Sequence, residues 1–353
     1  MREGNAILVS RHLDTKNENN KGRKLVRNSS LLVISIILLI LFIGMSISVG
    51  AANIKLSTVW DAVFQFNPNI QAHQIIQEIR LPRTLGAALV GAALAVSGAI
   101  LQGITRNPLA SPSILGVSDG AAFALVICLV YIPTATMAEQ SVASFIGAGI
   151  ATAIIFGISA LAKGGVSPAK LALAGVAISS LFRSITTAIA LHYQVAENMS
   201  FWYAGGLSKV NWQGVSILSI VCVVGIVIAT MLAKGITILS LGEEVSKGLG
   251  QNTFFVKTMA FIIVLLLTGA AVSVAGPIGF IGLVIPHITR FIVGSDYRWI
   301  IPASALLGAI LLVLSDSVAR LVNAPFETPV GAITAIIGVP FFLYLARGEG
   351  ARR

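Results

Sequence analysis

Charge is scarce in this chain. Only 11% of its 353 residues are Asp, Glu, Lys or Arg, against 56% that are hydrophobic. A soluble domain of this length has more polar surface to cover, so the shortage excludes an ordinary water-soluble protein and points to a membrane. The mean hydropathy of +0.90 agrees. Acids are the scarcer sign, 14 against 24 basic residues, leaving a net charge of +10. Nucleic acid does not account for the excess: the basic residues are scattered between apolar runs and seven fall in the first 27 positions, a pattern that membrane topology explains. The two cysteines, Cys128 and Cys222, lie far apart inside apolar segments and support neither a disulfide framework nor a metal site. The four histidines, at 12, 73, 192 and 287, are dispersed. No stretch fits G-x-x-x-x-G-K-[ST] or H-E-x-x-H, so no nucleotide, cofactor or metal site is expected in this chain. Intramembrane acids of the kind ion-coupled transporters use are also few: Asp119 and Asp316, both near span ends. Asp316 stands four residues before Arg320, a spacing that pairs the two on one helix face.

What the chain has instead is long apolar runs. Ten candidate spans cover 31–50, 84–105, 114–132, 141–162, 171–193, 214–233, 258–276, 278–293, 299–315 and 328–346, the eighth and ninth short and interrupted. The run "LLVISIILLILFIGMSISVG" is long enough to cross a bilayer. A cleaved signal peptide competes for it through the small residues of "VGA", but a signal core is shorter, roughly 7–15 residues. An uncleaved first helix is the favoured reading. Residues 1–30 read as a polar, basic, flexible tail, 31–346 as the membrane domain and 347–353 as a short C-terminal tail. An even number of spans puts both termini on one side. With that side inside, the tail, inner loops and C-terminus hold eighteen of the 24 basic residues, which places both termini in the cytoplasm.

The second span repeats a small residue every fourth position: Ala87, Gly91, Ala95, Ala99 and Gly103. Such a stripe lets helices approach closely and predicts a central helix surrounded by protein. "GVSDG" at 116–120 fits the G-x-S-x-G nucleophile pattern around Ser118, but that elbow needs a preceding strand and a partnered base. Close packing and a sharp helix start are the better reading of its glycines. Arg183 falls midway along the fifth span, where an arginine costs roughly 2.5–3.5 kcal/mol on insertion scales unless it faces protein or water. It belongs either to a structural pair or to a transport pathway, where it would suit an anionic ligand.

Several long motifs then occur in order. "RLPRTLGAALVGAALAVSGAILQGITRNPLASPSILGVSDGAA" (80–122), "LSLGEEVSKGLGQN" (239–252) and the segment 276–345, beginning "GPIGFIGLVIPHITR", closely resemble the FecCD-type permeases of iron–siderophore and cobalamin ABC importers. The resemblance implies an all-α, ten-helix type II importer permease in a bacterial cell membrane, in contact with lipid and with no nucleic-acid partner. It further implies a second permease subunit, identical or homologous, two cytoplasmic ATPase subunits that use the ATP, and an extracytoplasmic substrate-binding protein. Arg80, Arg83 and Arg320 match the family positions that dock acidic residues of the binding protein; arginine's planar fork suits a carboxylate. Pairing with Glu78 or lipid phosphates is the structural alternative. Residues 239–252 also read, without the family, as a short helix held by glycine bends, fit to act as a lever. By resemblance Leu241, Gly242, Glu243, Glu244, Leu249 and Gly250 touch the ATPase; Ser246 and Gly248 depart from the family pattern. "RNPLASP" (106–112) breaks helical hydrogen bonding with two prolines, and the family places its cytoplasmic gate there, making Asn107 and Leu109 gate candidates and Ser167 of "VSPAK" a second constriction. The expected function is the membrane subunit of an ATP-driven ferric-siderophore importer, with no catalysis of its own. Cobalamin or haem are alternative cargoes; a stand-alone secondary transporter and a hydrolase using Ser118 are the rival classes.

Overall fold

The computed structural model describes residues 2–50, 54–161, 168–324 and 326–350. A bilayer offers the backbone no hydrogen-bond partners, so apolar runs of this length close their bonds internally as helices. In chain order these are α1 (Arg2–Ser48), α2 (Leu56–Phe64), α3 (Gln71–Ile75), α4 (Leu81–Thr105), α5 (Val117–Tyr131), α6 (Met137–Leu161) and α7 (Pro168–His192). There follow α8 (Ala196–Tyr203), α9 (Trp212–Ser240), α10 (Glu243–Gly248), α11 (Thr253–Ala275), α12 (Ile281–Val293), α13 (Tyr297–Val322) and α14 (Val330–Gly350). A wide π turn, Ile76–Arg80, joins α3 to α4, and a 3-10 turn, Pro112–Leu115, precedes α5. No strand occurs among the described residues.

Each expected apolar run corresponds to one helix. Among the described residues seven are long and apolar enough to cross a membrane: Gly22–Ser48 of α1, the continuous stretch Gln71–Thr105, most of α6 and α7, and all of α9, α11 and α13. α5, α12 and the apolar part of α14 are shorter. Several boundaries differ from expectation. α1 continues back to Arg2 through the residues read as a tail. The ninth run, expected to be short, is a 26-residue helix that carries Asp316 and Arg320 inside it. The small helices α2, α8 and α3 were not anticipated.

α4 is the axis of the bundle. In its most apolar window 78% of residues are buried, against 11% for α7 at the periphery. The small-residue stripe explains this: Ala87, Ala95 and Ala99 are fully buried. A Cβ added at Gly91 would lie 2.2 Å from the Gly308 carbonyl oxygen of α13. About two turns further on, a Cβ at Gly98 would lie 1.9 Å from the Gly282 carbonyl oxygen of α12. Backbones of two neighbouring helices therefore touch α4 at two levels, as membrane helices with small interfacial residues do.

Helix starts are set by short polar side chains. Asn211, Asn252 and Asp296 accept from Gly214, Phe255 and Arg298 N–H at the starts of α9, α11 and α13. Thr136 and Glu139 form a reciprocal capping box before α6.

Candidate functional site: two rims and the cavity between them

Three arginines, Arg80, Arg83 and the sequence-distant Arg320, meet at one end of the bundle. Arg83 directs Nε and Nη2 at Asp316 Oδ1, both at 3.0 Å, and Nη1 at Glu327 Oε1 at 2.5 Å. Arg320 reaches the other oxygen of Asp316 at 3.0 Å, so the expected i, i+4 pair is present and one carboxylate serves two guanidinium groups. Arg320 also donates to Val49 O at 3.0 Å and Ser46 Oγ at 2.6 Å. Arg80 donates to the Ile47 and Ser48 carbonyls at 2.8 and 3.0 Å. These are carbonyls at the C-terminal end of α1, which lack intrahelical partners and favour a cation. The cluster thereby ties α1, α4, α13 and the approach to α14 into one rim.

The sequence reading presented these arginines to a partner; in the structure Arg80, Arg83 and Arg320 are 7%, 6% and 9% exposed and already engaged within the chain. The partners of Arg83 are Asp316 and Glu327, not Glu78, which is exposed. Of the five side chains only Glu327 opens to the surface, at 50% exposure. Nothing in the local sequence signals its role, because it meets Arg83 from 244 positions away.

The opposite end carries α10. Its entry needs Gly242, whose φ of +135° few other residues adopt, and Gly250 leaves at φ +75°. Leu241, Val245 and Leu249 recur at helical spacing and are all exposed, at 66%, 49% and 65%. Glu244 is also exposed, whereas Glu243 is half-buried and turned toward its own chain. It accepts from Lys257 Nζ at 2.6 Å and pairs with Lys247 at 3.2 Å. Hydrogen bonds from Lys257 and then Lys247 hold its carboxyl below the ordinary carboxylate range. Ser246, one of the two departures from the family pattern, is fully buried and donates to Gln251 Oε1, closing the loop on itself. The result is an apolar stud that nothing among the described residues covers.

Beside it lies the "RNPLASP" segment. Arg106 ends α4 in the left-handed region at φ +52°, with its guanidinium 3.6 Å from where a Cβ on Gly242 would stand. Asn107 Oδ1 accepts from Leu109 N–H at 2.9 Å, forming a local turn. Gly242, at the entry to α10, thus lies beside this segment. Asn107 is exposed; Leu109 lines a cavity of about 460 Å3 between the two rims. Ser167 lies outside the described residues.

Two further sites were left open by the sequence. Arg183 does pair: its Nε and Nη2 both contact Asp119 Oδ1 at 3.0 Å. Yet the arginine side chain remains 68% exposed while Asp119 is 6% exposed, so the pair projects the guanidinium from the helix face. Ser118 follows a 3-10 turn and the left-handed Gly116, with no strand before it among the described residues. The glycines of "GVSDG" serve contact instead: a Cβ on Gly120 would lie 2.5 Å from the Gly147 carbonyl oxygen of α6. Among the described residues no cluster of His, Cys, Asp and Glu could hold a metal ion.

An all-helical bundle with several spanning helices, a buried arginine rim at one end and a glycine-hinged apolar stud at the other defines a multi-pass membrane permease. More particularly, this chain belongs to the FecCD transport family, whose sequence model matches residues 37–348. It is 57% identical over 318 residues to the iron(3+)-hydroxamate import system permease protein FhuB of Bacillus subtilis, covering 90% of this chain and 83% of that protein. It is 45% identical to the iron-uptake system permease protein FeuB of the same organism, covering 88% and 92%. Among solved structures it superposes with a TM-score of 0.80 on an inward-facing conformation of a metal-chelate type ABC transporter, at 29% identity over 91% of this chain and 99% of that one.

Proposed function

We propose that this chain is the membrane subunit of an ATP-driven importer of ferric siderophores, with a hydroxamate chelate as cargo. The observation that carries the ATP-driven part is the uncovered stud: Leu241, Val245 and Leu249 stand exposed on a helix fixed at both ends by left-handed glycines. An exposed apolar knob on a rigid mount marks a protein–protein contact. A cytoplasmic ATPase subunit is the partner, and the adjacent Arg106–Pro112 segment is the element it drives. The cargo follows from the relative at 57% identity; haem or cobalamin is the second reading. Both termini and the stud lie in the cytoplasm of a bacterial cell.

The arginine rim then faces outward and receives the binding protein. Its cations are satisfied internally, so an incoming carboxylate engages Arg83 by replacing Glu327, the one accessible member. A second permease subunit covers α7. That helix exposes Ser180, Arg183, Ser184 and Thr187, and hydrocarbon is a costly neighbour for such a face. A pathway between two subunits is not. The mechanism is alternating access: the loaded binding protein docks on the arginine rim, nucleotide turnover moves α10, and the segment at Asn107 and Leu109 opens and closes.

The test is co-purification. The chain is expected to bring down a nucleotide-binding subunit that Leu241→Asp plus Leu249→Asp releases while the bundle stays folded. Retention of that subunit by the double variant would refute the role given to α10.

A further inference from the structure

An exposed apolar face lies beside the arginine rim, on the nine-residue helix α2. At about 100° per residue the helix has three sectors. Val59 and Ala62 are buried against Ile47 of α1 and Ile76 of the π turn. Ser57 and Asp61 are polar and exposed. Between those two sectors Leu56, Trp60 and Phe64 form an apolar strip that is 60%, 65% and 64% exposed. The rings of Trp60 and Phe64 lie 4.3 Å apart. A strip of large apolar side chains on an otherwise amphipathic helix marks a contact with something that excludes water.

Its neighbours decide what that is. Gln77 Nε2 donates to Ala62 O and Trp212 Nε1 donates to Gln77 O, both at 2.8 Å. The end of α2 is thereby tied, through the π turn, to the first residue of α9. α9 is 29 residues long, about 43 Å, against a hydrocarbon core of about 30 Å, so its ends reach the headgroup layers. Along it Ile220, Val224, Val227 and Met231 form an exposed apolar row, the side that meets lipid. On its other flank α2 packs against the last turn of α1, whose apolar window is only 17% buried and whose Leu41 and Met45 are exposed. α2 is therefore held where two lipid-facing helices leave the hydrocarbon. Tryptophan favours that layer, with an apolar ring and one polar N–H. Lys55, exposed at the start of α2, has an apolar stem and a charge that suit the same boundary.

We propose that α2 is a membrane-interface anchor, with Leu56, Trp60 and Phe64 sunk at the headgroup–acyl boundary and Ser57 and Asp61 in water. The partner of this face is lipid. The anchor also seats the arginine rim. The π turn that holds α2 through Gln77 ends at Arg80, and Arg80 donates to the Ile47 and Ser48 carbonyls of the same α1 turn on which α2 packs. The rim is thereby fixed at one height over the bilayer. The lipid contact depends neither on the cargo nor on which side the rim faces, so it stands or falls apart from the importer reading.

The test uses the full-length chain in proteoliposomes. Of its four tryptophans, Trp202→Phe, Trp212→Phe and Trp299→Phe leave Trp60 as the sole fluorophore. Phospholipid brominated on the upper part of its acyl chains is expected to quench Trp60 at least about twofold more than phospholipid brominated near the chain ends, as a depth of roughly 5–10 Å requires. Aqueous iodide should quench it little, and added binding protein should leave its emission unchanged. Quenching by iodide with none by bromine would overturn the anchor, as would stronger quenching by the deep bromines. Shielding from iodide that appears only with binding protein would give the face to that protein and overturn the anchor too. Phe64→Cys carrying a nitroxide is the second reporter, and it keeps Trp212 on Gln77; Cys128 and Cys222 are buried and escape the label. Oxygen is expected to relax this label more than a water-soluble nickel chelate does, and the reverse order would refute the lipid contact even if the triple variant fails to fold.

Discussion

Replacing Asp316 should unlock the arginine rim. Its side chain is fully buried and bonds both Arg83 and Arg320 at 3.0 Å. Asp316→Ala leaves two buried guanidinium groups without their shared counter-charge. Removing one partner of a buried ion pair costs about 3–5 kcal/mol. The lower end applies here, because Arg83 keeps Glu327 and Arg320 keeps Val49 O and Ser46 Oγ. At roughly 2 °C per kcal/mol for a large domain, the unfolding midpoint should fall by about 6 °C. The chain supplies its own reporters: Cys128 and Cys222 are both buried and free, so a thiol-reactive dye reads unfolding on a temperature ramp. Glu327→Gln is the internal control. With half its side chain in solvent, that pair is worth about 1 kcal/mol or less, and its midpoint should barely move. Adding Arg83→Met and Arg320→Met to Asp316→Ala should recover part of the loss, since well-packed apolar groups replace buried ion pairs at little cost. Equal midpoints for Asp316→Ala and Glu327→Gln would refute the claim that the rim is a buried, charge-balanced clamp.

Other consequences are as direct. Gly98→Val places its side chain against the Gly282 backbone, where even a Cβ has only 1.9 Å, so the protein should fail to accumulate in membranes on a quantitative immunoblot while Gly248→Ala, with open space around it, accumulates normally. Leu241→Asp plus Leu249→Asp should leave the thermal midpoint unchanged but remove the response of ATPase rate to loaded binding protein. Glu243 titrates below its ordinary value of 4.5 because Lys257 and Lys247 bond its charged form. The stability it contributes is therefore complete above that value and lost as pH falls through the lowered one. Wild type and Glu243→Gln should differ in midpoint at pH 7 and converge in acid, once the pH lies below that lowered value.

How far the sequence foretold this depended on whether the determinant was local. The stripe from Ala87 to Gly103 was legible because four-residue spacing is a property of one helix, and α4 is the buried axis it implied. The contact of Gly98 with Gly282 was not, since each glycine is unremarkable until the other is placed beside it. Span nine was read over 299–315, stopping just short of Asp316 and Arg320. The helix continues to Val322 because those charges neutralise one another against Arg83. For the same reason the arginines could be picked out but not their burial: a guanidinium group looks exposed until its carboxylates, here 233 and 244 residues away, are known. The short helix between glycines in 239–252 was legible locally, and it is present as α10. Arg183 stayed undecided between a structural pair and a transport pathway; the structure shows the pair, with Asp119, and leaves the guanidinium exposed.

The central claim is that this polypeptide is a passive conduit worked from both ends by separate proteins. Its most direct test is uptake of iron-55 ferric trihydroxamate into proteoliposomes. Accumulation is expected only when binding protein, ATPase subunits and ATP are all present, with no effect of an imposed proton or sodium gradient. Gradient-driven accumulation by the purified chain alone would contradict it.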